Sequence, residues 1–318
     1  GTGGRYWEVR IVRNIYPSMS VPRERYPDGH EGGFLEDQGG GMINPQVDHP
    51  WYQQLPGFGF NDVVVETPLH NVCIALSEET HVALALQAVV LRGKELMSEQ
   101  GVRYVTVFKQ HKCGSLMHAH WQIITTPFVP SSVEAQLIRA ARLQGRFGMC
   151  VACRVLVGAP LDTGLSRERL VCASDHFVVS VPYACRERFR LYLAPRRHCP
   201  DFFDITNEEL RDLAGMLKRV LKLYYWKLND PPFNLALWTR PTRPDAARPR
   251  TRWQSRCCLP SWGAAADSRD AHFHWYIGLY PRGKGVPQGF KNATDIAPMR
   301  TLPEDDAALM REWLQELK

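Results

Sequence analysis

No run of about 18 apolar residues occurs anywhere in the chain, so nothing in it reads as a membrane-spanning helix. The first residues, Gly1-Thr2-Gly3-Gly4-Arg5, hold neither an initiator methionine nor the apolar core of a secretory signal, and the start reads as trimmed. Nine cysteines is an odd number, and they do not lay out the framework of a secreted disulfide scaffold. Cys150-Val-Ala-Cys153 is the only Cys-x-x-Cys, a spacing that suggests metal or redox chemistry. Together these absences point to a cytoplasmic compartment. Strong charge of one sign is also missing, since the net charge is +6 over 318 residues. Much of it sits between Thr239 and Arg256, in a stretch rich in arginine, proline and alanine. That stretch lacks the aromatic interleaving of a single-strand nucleic-acid groove. It reads as a solvated surface insertion near 240–270, and no nucleic-acid partner is expected.

What is present is a short segment dense in chemistry: Gly114-Ser115-Leu116-Met117-His118-Ala119-His120-Trp121-Gln122. On a strand, residues i, i+2 and i+4 share a face, so His118, His120 and Gln122 would point the same way. That face combines imidazole, a nucleophile or metal ligand, with an amide that both donates and accepts. Gly114 and Ser115 add close backbone approach and a hydroxyl donor for phosphate oxygens. A second His-x-His-Trp occurs at His272-Phe273-His274-Trp275.

The pair of motifs prompts a search for an internal repeat. A strand at Asp62–Glu66 leads to His70, then to a helix with Ser77 as its N-cap and an apolar stripe through Val82, Leu86, Val89, Val90, Leu96 and Met97. Strands at Tyr104–Phe108 and His118–Ile124 complete the unit. The second half repeats the order: strands at His176–Val181 and Arg190–Ala194, then His198, then a helix opened by the capping box Thr206-x-x-Glu209. A strand at Asn234–Trp238 and the His272–Tyr280 strand follow. This order predicts an α+β fold of two similar units, residues 1–145 and 146–318, each an antiparallel sheet with a packed helix. In the second unit, Cys150, Cys153, His198 and His272 form a Cys2His2 set suited to closed, structural zinc. His70 and His118 hold the corresponding histidine positions in the first unit, where no cysteine pair accompanies them.

These residues resemble the galactose-1-phosphate uridylyltransferase family, a duplicated branch of the histidine-triad superfamily that includes ADP-glucose phosphorylases. The resemblance covers nearly the whole chain. It rests on Val12-Arg13-Asn14-Ile15-Tyr16-Pro17, Val65-Glu66-Thr67-Pro68-Leu69-His70-Asn71, Phe108-Lys109, Gly114–Gln122, the Cys150 pair, Asp175–Val178, Pro195–His198, Asp230–Asn234 and His272–Trp275. It implies that His120 attacks the α-phosphorus of a nucleoside diphosphate sugar to give a nucleotidyl-histidine. A sugar 1-phosphate then accepts the nucleotidyl group. Gln122 and Ser115 are implied to hold phosphate oxygens, Asn14 to touch the nucleoside, and Gln110 with Gly114 to border the phosphates. His118 turns to metal or to a hydrogen bond, His272 goes to zinc and His274 to the core. A homodimer is also implied. Phosphate or water as acceptor, giving a phosphorylase or hydrolase, and a catalytically silent nucleotide binder are the alternatives. The chain departs from the family pattern at Ala119, where proline is usual, at Gln110, where asparagine is usual, and in a shortened loop between Phe108 and Gly114.

Overall fold

The computed structural model describes residues 7–21, 57–157, 168–242, 272–282 and 301–317, with single positions and pairs between 293 and 299. The Arg/Pro-rich stretch beyond Thr242 lies outside the described residues. Arg240, at its start, is no solvated side chain: its guanidinium pairs with Asp201 at 2.7 Å.

Among the described residues, nine strands form one sheet. They are β1 (Arg10–Arg13), β2 (Asn61–Val65), β3 (Tyr104–His111), β4 (His120–Thr126), β5 (Leu170–Ala173), β6 (Phe177–Ser180), β7 (Leu191–Pro195), β8 (Phe233–Trp238) and β9 (Tyr276–Pro281). Among the described residues the α-helices that accompany them are α1 (Glu79–Ser98), α2 (Ser131–Phe147), α3 (Val151–Val155), α4 (Asn207–Lys227) and α5 (Pro303–Glu316). The strand order is β1-β2-β4-β3-β8-β9-β7-β6-β5, and every ladder is antiparallel. The expected two sheets are therefore one. The seam is the β3–β8 ladder, from Phe108↔Ala236 to His111↔Phe233. Outward from it the order reads β3, β4, β2, β1 on one side and β8, β9, β7, β6 on the other. The seam gives the inner edge of each half a hydrogen-bonding partner, which two separate sheets would lack.

One face of the sheet carries the core. Val64, Val107, Trp121 and Ile123 from one half, and Leu193, Leu235, Ile277 and Leu279 from the other, pack with Leu86 and Val89 of α1 and Leu213, Leu217 and Val220 of α4 in a single cluster. Each such side chain contributes about 1.5–3 kcal/mol by leaving water. Helices α1 and α4 lie against each other. Gly93 of α1 faces Phe203, and a Cβ at position 93 would fall within that ring. Tyr104, Val133, Leu137 and Phe273 form a smaller cluster that seats α2 on the opposite face.

The α4 capping box forms as read: Glu209 N donates to Thr206 Oγ1 at 3.2 Å and Thr206 N to Glu209 Oε2 at 3.0 Å. Helix α1 begins later than expected, at Glu79 behind Glu78, without a side-chain cap. Ser77 lies one residue before the cap position, and its hydroxyl donates instead to Cys73 O at 3.0 Å.

Candidate active site and metal centre

Strand β4 carries His120 and Gln122. Trp121 and Ile123 face the core, so alternation turns His120 and Gln122 to the opposite face. Gln122 lies opposite Val63 of β2 and Phe108 of β3, and Gln110 lies opposite Asn234 of β8. Asn61, Gln122, Gln110 and Asn234 therefore share one face of the sheet in a diagonal row, since Asn61 stands opposite Ile124 and Gln110 two residues beyond the Phe108 that faces Gln122. Gln110 reaches back to the phosphate-type loop, since its Oε1 would stand 3.2 Å from a Cβ on Gly114. Ser115 is exposed.

His118 leaves the row. The strand begins only at His120, and His118 turns so that its Nε2 donates to Thr67 O at 2.6 Å. Its Nδ1 meets Nδ1 of His70 at 3.1 Å. His120 is 5 % exposed, and its Nδ1 lies 2.7 Å from His118 O. A carbonyl only accepts, so Nδ1 carries the proton and Nε2 keeps a free lone pair. That tautomer is the one a nucleophilic imidazole needs.

Behind this segment lies a buried ion pair that the sequence reading missed. Lys109 Nζ and Glu66 Oε1 are 2.7 Å apart, with side chains 2 % and 6 % exposed. Lys109 also donates to His120 O at 3.4 Å, Glu66 N donates to Ala119 O at 3.1 Å, and His81 Nε2 lies 2.6 Å from Glu66 O. The two residues thus hold the successive carbonyls of Ala119 and His120. Its only signal in sequence was a charged residue within each of two apolar strands.

Asn14 stands at the far end of the row. Its backbone N–H donates to Asn61 O at 2.9 Å, and its side-chain Nδ2 donates to Asn61 Oδ1 at 3.4 Å. Asn61 itself is buried, and its Nδ2 has no partner. An orphaned buried amide beside Asn14 suits a ligand acceptor, and sequence reading did not single it out.

The second centre gathers Cys150, Cys153, His198 and His274, whose ligand atoms lie within 4.8 Å of one another. Cys153 Sγ is 3.3 Å from Nδ1 of both His198 and His274. The expected fourth member was His272, with His274 in the core. The structure reverses this, and His272 stands outside the group. The reason is phase. His274 Nε2 lies 2.9 Å from Pro195 O, and His198 follows Pro195 by three residues. His118 makes the same bond to Thr67 O, which His70 follows by three residues. The counterpart of His118 is therefore His274, and Tyr276, two residues on, stands where His120 does. Core spacing carried the same signal: Ile277 and Leu279 follow His274 at the intervals at which Trp121 and Ile123 follow His118. The repeated His-x-His-Trp letters match two residues out of phase.

The donor set fits zinc. Two thiols and two imidazoles converge, and His274 gives its other nitrogen to a backbone carbonyl, as ligating histidines do. The Cys153 thiol beside it holds Cys150 well below the usual thiol range, with His198 and His274 helping, while Cys150 drives Cys153 upward. In the first unit, His70 and His118 meet with their rings edge-to-face at 4.7 Å, but among the described residues no cysteine joins them.

No family model matches the chain. An ADP-glucose phosphorylase of Arabidopsis thaliana is 26% identical over 309 residues, covering 96% of this chain and 74% of that protein. A galactose-1-phosphate uridylyltransferase of Cryptococcus neoformans is 29% identical over 287 residues, covering 85% and 69%. One from Thermotoga maritima is 28% identical over 230 residues, covering 71% and 64%. The chain thus spans about two thirds to three quarters of the length of these relatives. Among solved structures, the Arabidopsis ADP-glucose phosphorylase with bound ADP-glucose superposes with a TM-score of 0.73 at 24% identity, covering 96% of this chain and 82% of that one. A uridylyltransferase mutant reaches a TM-score of 0.75 at 24% identity, covering 99% and 91%. The class these relatives define is that of enzymes of the nucleotidyl-transfer type. Within it, the chain is similar over most of its length to the galactose-1-phosphate uridylyltransferase family.

Proposed function

We propose that the protein transfers a nucleoside monophosphate from a nucleoside diphosphate sugar to a sugar 1-phosphate by double displacement on His120. The observation that carries this reading is the bond from His120 Nδ1 to His118 O, which leaves Nε2 free on the face shared with Gln122. In the first step the Nε2 lone pair forms a bond to the α-phosphorus, the bond from that phosphorus to the bridging oxygen breaks, and the sugar phosphate leaves with the electron pair. In the second, a phosphate oxygen of the acceptor attacks the same phosphorus and the N–P bond breaks. The growing positive charge on the imidazole is shared through Nδ1–H with the His118 carbonyl. Gln122, Ser115 and the Gly114 backbone donate to the phosphate oxygens, while Asn14 and Asn61 receive the nucleoside.

A phosphorylase, with inorganic phosphate as acceptor, uses the same first step. The phosphorylase relative, aligned over 96% of this chain, favours that second reading. Zinc held by Cys150, Cys153, His198 and His274 would be structural, because a full set of four protein ligands leaves no open position. It would tie α3 to the ends of β7 and β9. The reading further assigns residues 1–145 and 146–318 to two repeats, the first catalytic, and the assembly to a homodimer. The seven described cysteines are all free, which suits a reducing compartment such as the cytoplasm. In the described residues no helix is long and apolar enough to cross a membrane.

The test is intact mass after incubation with a panel of UDP-, ADP- and GDP-sugars, with His120→Ala alongside. A nucleotide-sized adduct absent from the variant supports the nucleotidyl-histidine, and its mass names the base. Nucleotide binding without any adduct would make the chain a silent binder.

A further inference from the structure

Three of the four non-glycine residues with positive φ among the described residues meet at one point: Lys112 at 53°, Asn229 at 58° and Asp230 at 48°. Such backbone persists only where its surroundings hold it, and it gathers where geometry matters. The Asp230 carboxylate takes His111 Nε2 on Oδ1 at 2.7 Å and the Lys112 ammonium on Oδ2. Lys112 Nζ also donates to Asp230 O at 3.3 Å. Cys113 Sγ lies 3.3 Å from both Phe233 O and Asn234 Oδ1, and the His111 ring stacks on Phe233 at 4.7 Å. Every residue from 111 to 113 is thus tied to the segment 230–234 of the other half of the chain. Asp230 is itself anchored, its N–H donating to the carbonyls of Tyr224 and Tyr225 at the end of α4 at 3.0 and 3.1 Å.

The next residues are Gly114 and Ser115. Beyond them, Leu116 and Met117 are 57 % and 74 % exposed, so among the described residues these two side chains do not anchor the loop in the core. The loop is fixed from the His111 side, by polar contacts. We infer that Asp230 is a positioning residue, which sets the shape in which Gly114 and Ser115 meet a phosphate bound at His120. It acts through Lys112 and His111 and touches no substrate. This inference rests on the reading of His120 as the nucleophile, but its structural half can be measured without that chemistry.

The experiment compares wild type with Asp230→Ala, Asp230→Asn and Lys112→Met. It reads amide hydrogen exchange over residues 112–116, and the rate of nucleotide adduct formation by quenched intact mass with the donor that labels the wild type. Lys112→Met opens the clasp from the other side and leaves the α4 end untouched, which covers the case that Asp230→Ala fails to fold. Faster exchange across 112–116 is expected in each variant. Adduct formation should slow by roughly 100-fold in Asp230→Ala, the scale of a small misplacement of reacting groups. It should slow less in Asp230→Asn, which keeps an acceptor, and the full adduct should still be reached. Wild-type exchange and wild-type rate in Asp230→Ala and Lys112→Met would overturn the inference. A wild type that forms no adduct would remove the reading of His120, and the exchange data would then decide the clasp alone.

Discussion

His120 gives its Nδ1 proton to the carbonyl of His118, 2.7 Å away, and this bond decides which nitrogen faces a substrate. Because the acceptor is backbone, no substitution at position 118 removes it directly. His120→Ala, by contrast, removes the nucleophile. It should abolish covalent labelling and lower turnover by at least about 10³-fold, as loss of a member of a catalytic unit does. Nucleotide affinity should stay near wild type, because Asn14, Asn61 and Gln122 remain. Turnover together with calorimetric nucleotide binding checks both halves of that expectation.

The candidate metal centre allows a sharper test, since two neighbouring histidines now have opposite expectations. His274→Ala should lose the metal, because it removes a ligand 3.3 Å from the Cys153 sulfur. His272→Ala should keep about one zinc per chain, the content of a single closed site. Cys150→Ser should behave as His274→Ala does, and chelation of the wild type should lower its thermal midpoint. Elemental analysis of the purified variants reads the metal content. Zinc retained by His274→Ala and lost from His272→Ala would restore the original assignment.

Much of this site was legible before the fold was known, and the part that was not has physical causes. The apolar stripe of α1 and the Thr206–Glu209 cap are local features whose partners lie within a few residues. His120 and Gln122 could be placed on one face because a two-residue period is itself a statement about one face of a strand. His274 was misplaced because matching letters were given precedence over the phase of Ile277 and Leu279, and phase is what the core enforces. The β3–β8 seam left no local trace: Phe108 and Ala236 pair across 128 positions, and nothing in either strand names its partner. Helix α2 was missed altogether, because it buries little beyond Val133 and Leu137. Lys109 was seen only as part of a motif, and its burial depends on Glu66 arriving from another strand.

That burial makes the Lys109–Glu66 pair a stability determinant as well as a support for Ala119. With both side chains almost fully enclosed, removing one partner strands a charge. Lys109→Met should cost about 3–5 kcal/mol, the usual penalty for breaking a buried pair from one side. Lys109→Met combined with Glu66→Gln should recover part of that loss, since no unpaired ion then remains. Denaturant unfolding of both singles and the double gives the coupling. Additive losses would show that the two residues do not act as a pair.

Glu209 predicts an acid limit to stability. The Arg197 guanidinium, with bonds of 2.7 and 2.9 Å to its carboxylate, holds Glu209 below the usual glutamate value, assisted by the Thr206 N–H. The folded value lies below the unfolded one, so the unfolded chain binds the proton more readily. The stabilisation is therefore complete above the ordinary glutamate pKa of about 4.3 and is lost as pH falls through the lower folded value. Arg197 precedes His198, so the same ion pair ties the residue next to that candidate metal ligand to the start of α4. Glu209→Gln should be less stable than wild type at pH 7, and the gap should close as the pH drops below 4.3. Urea unfolding of both proteins between about pH 7 and pH 3 reads this directly. A gap that persists at the acid end would mean that Glu209 acts through its packing alone.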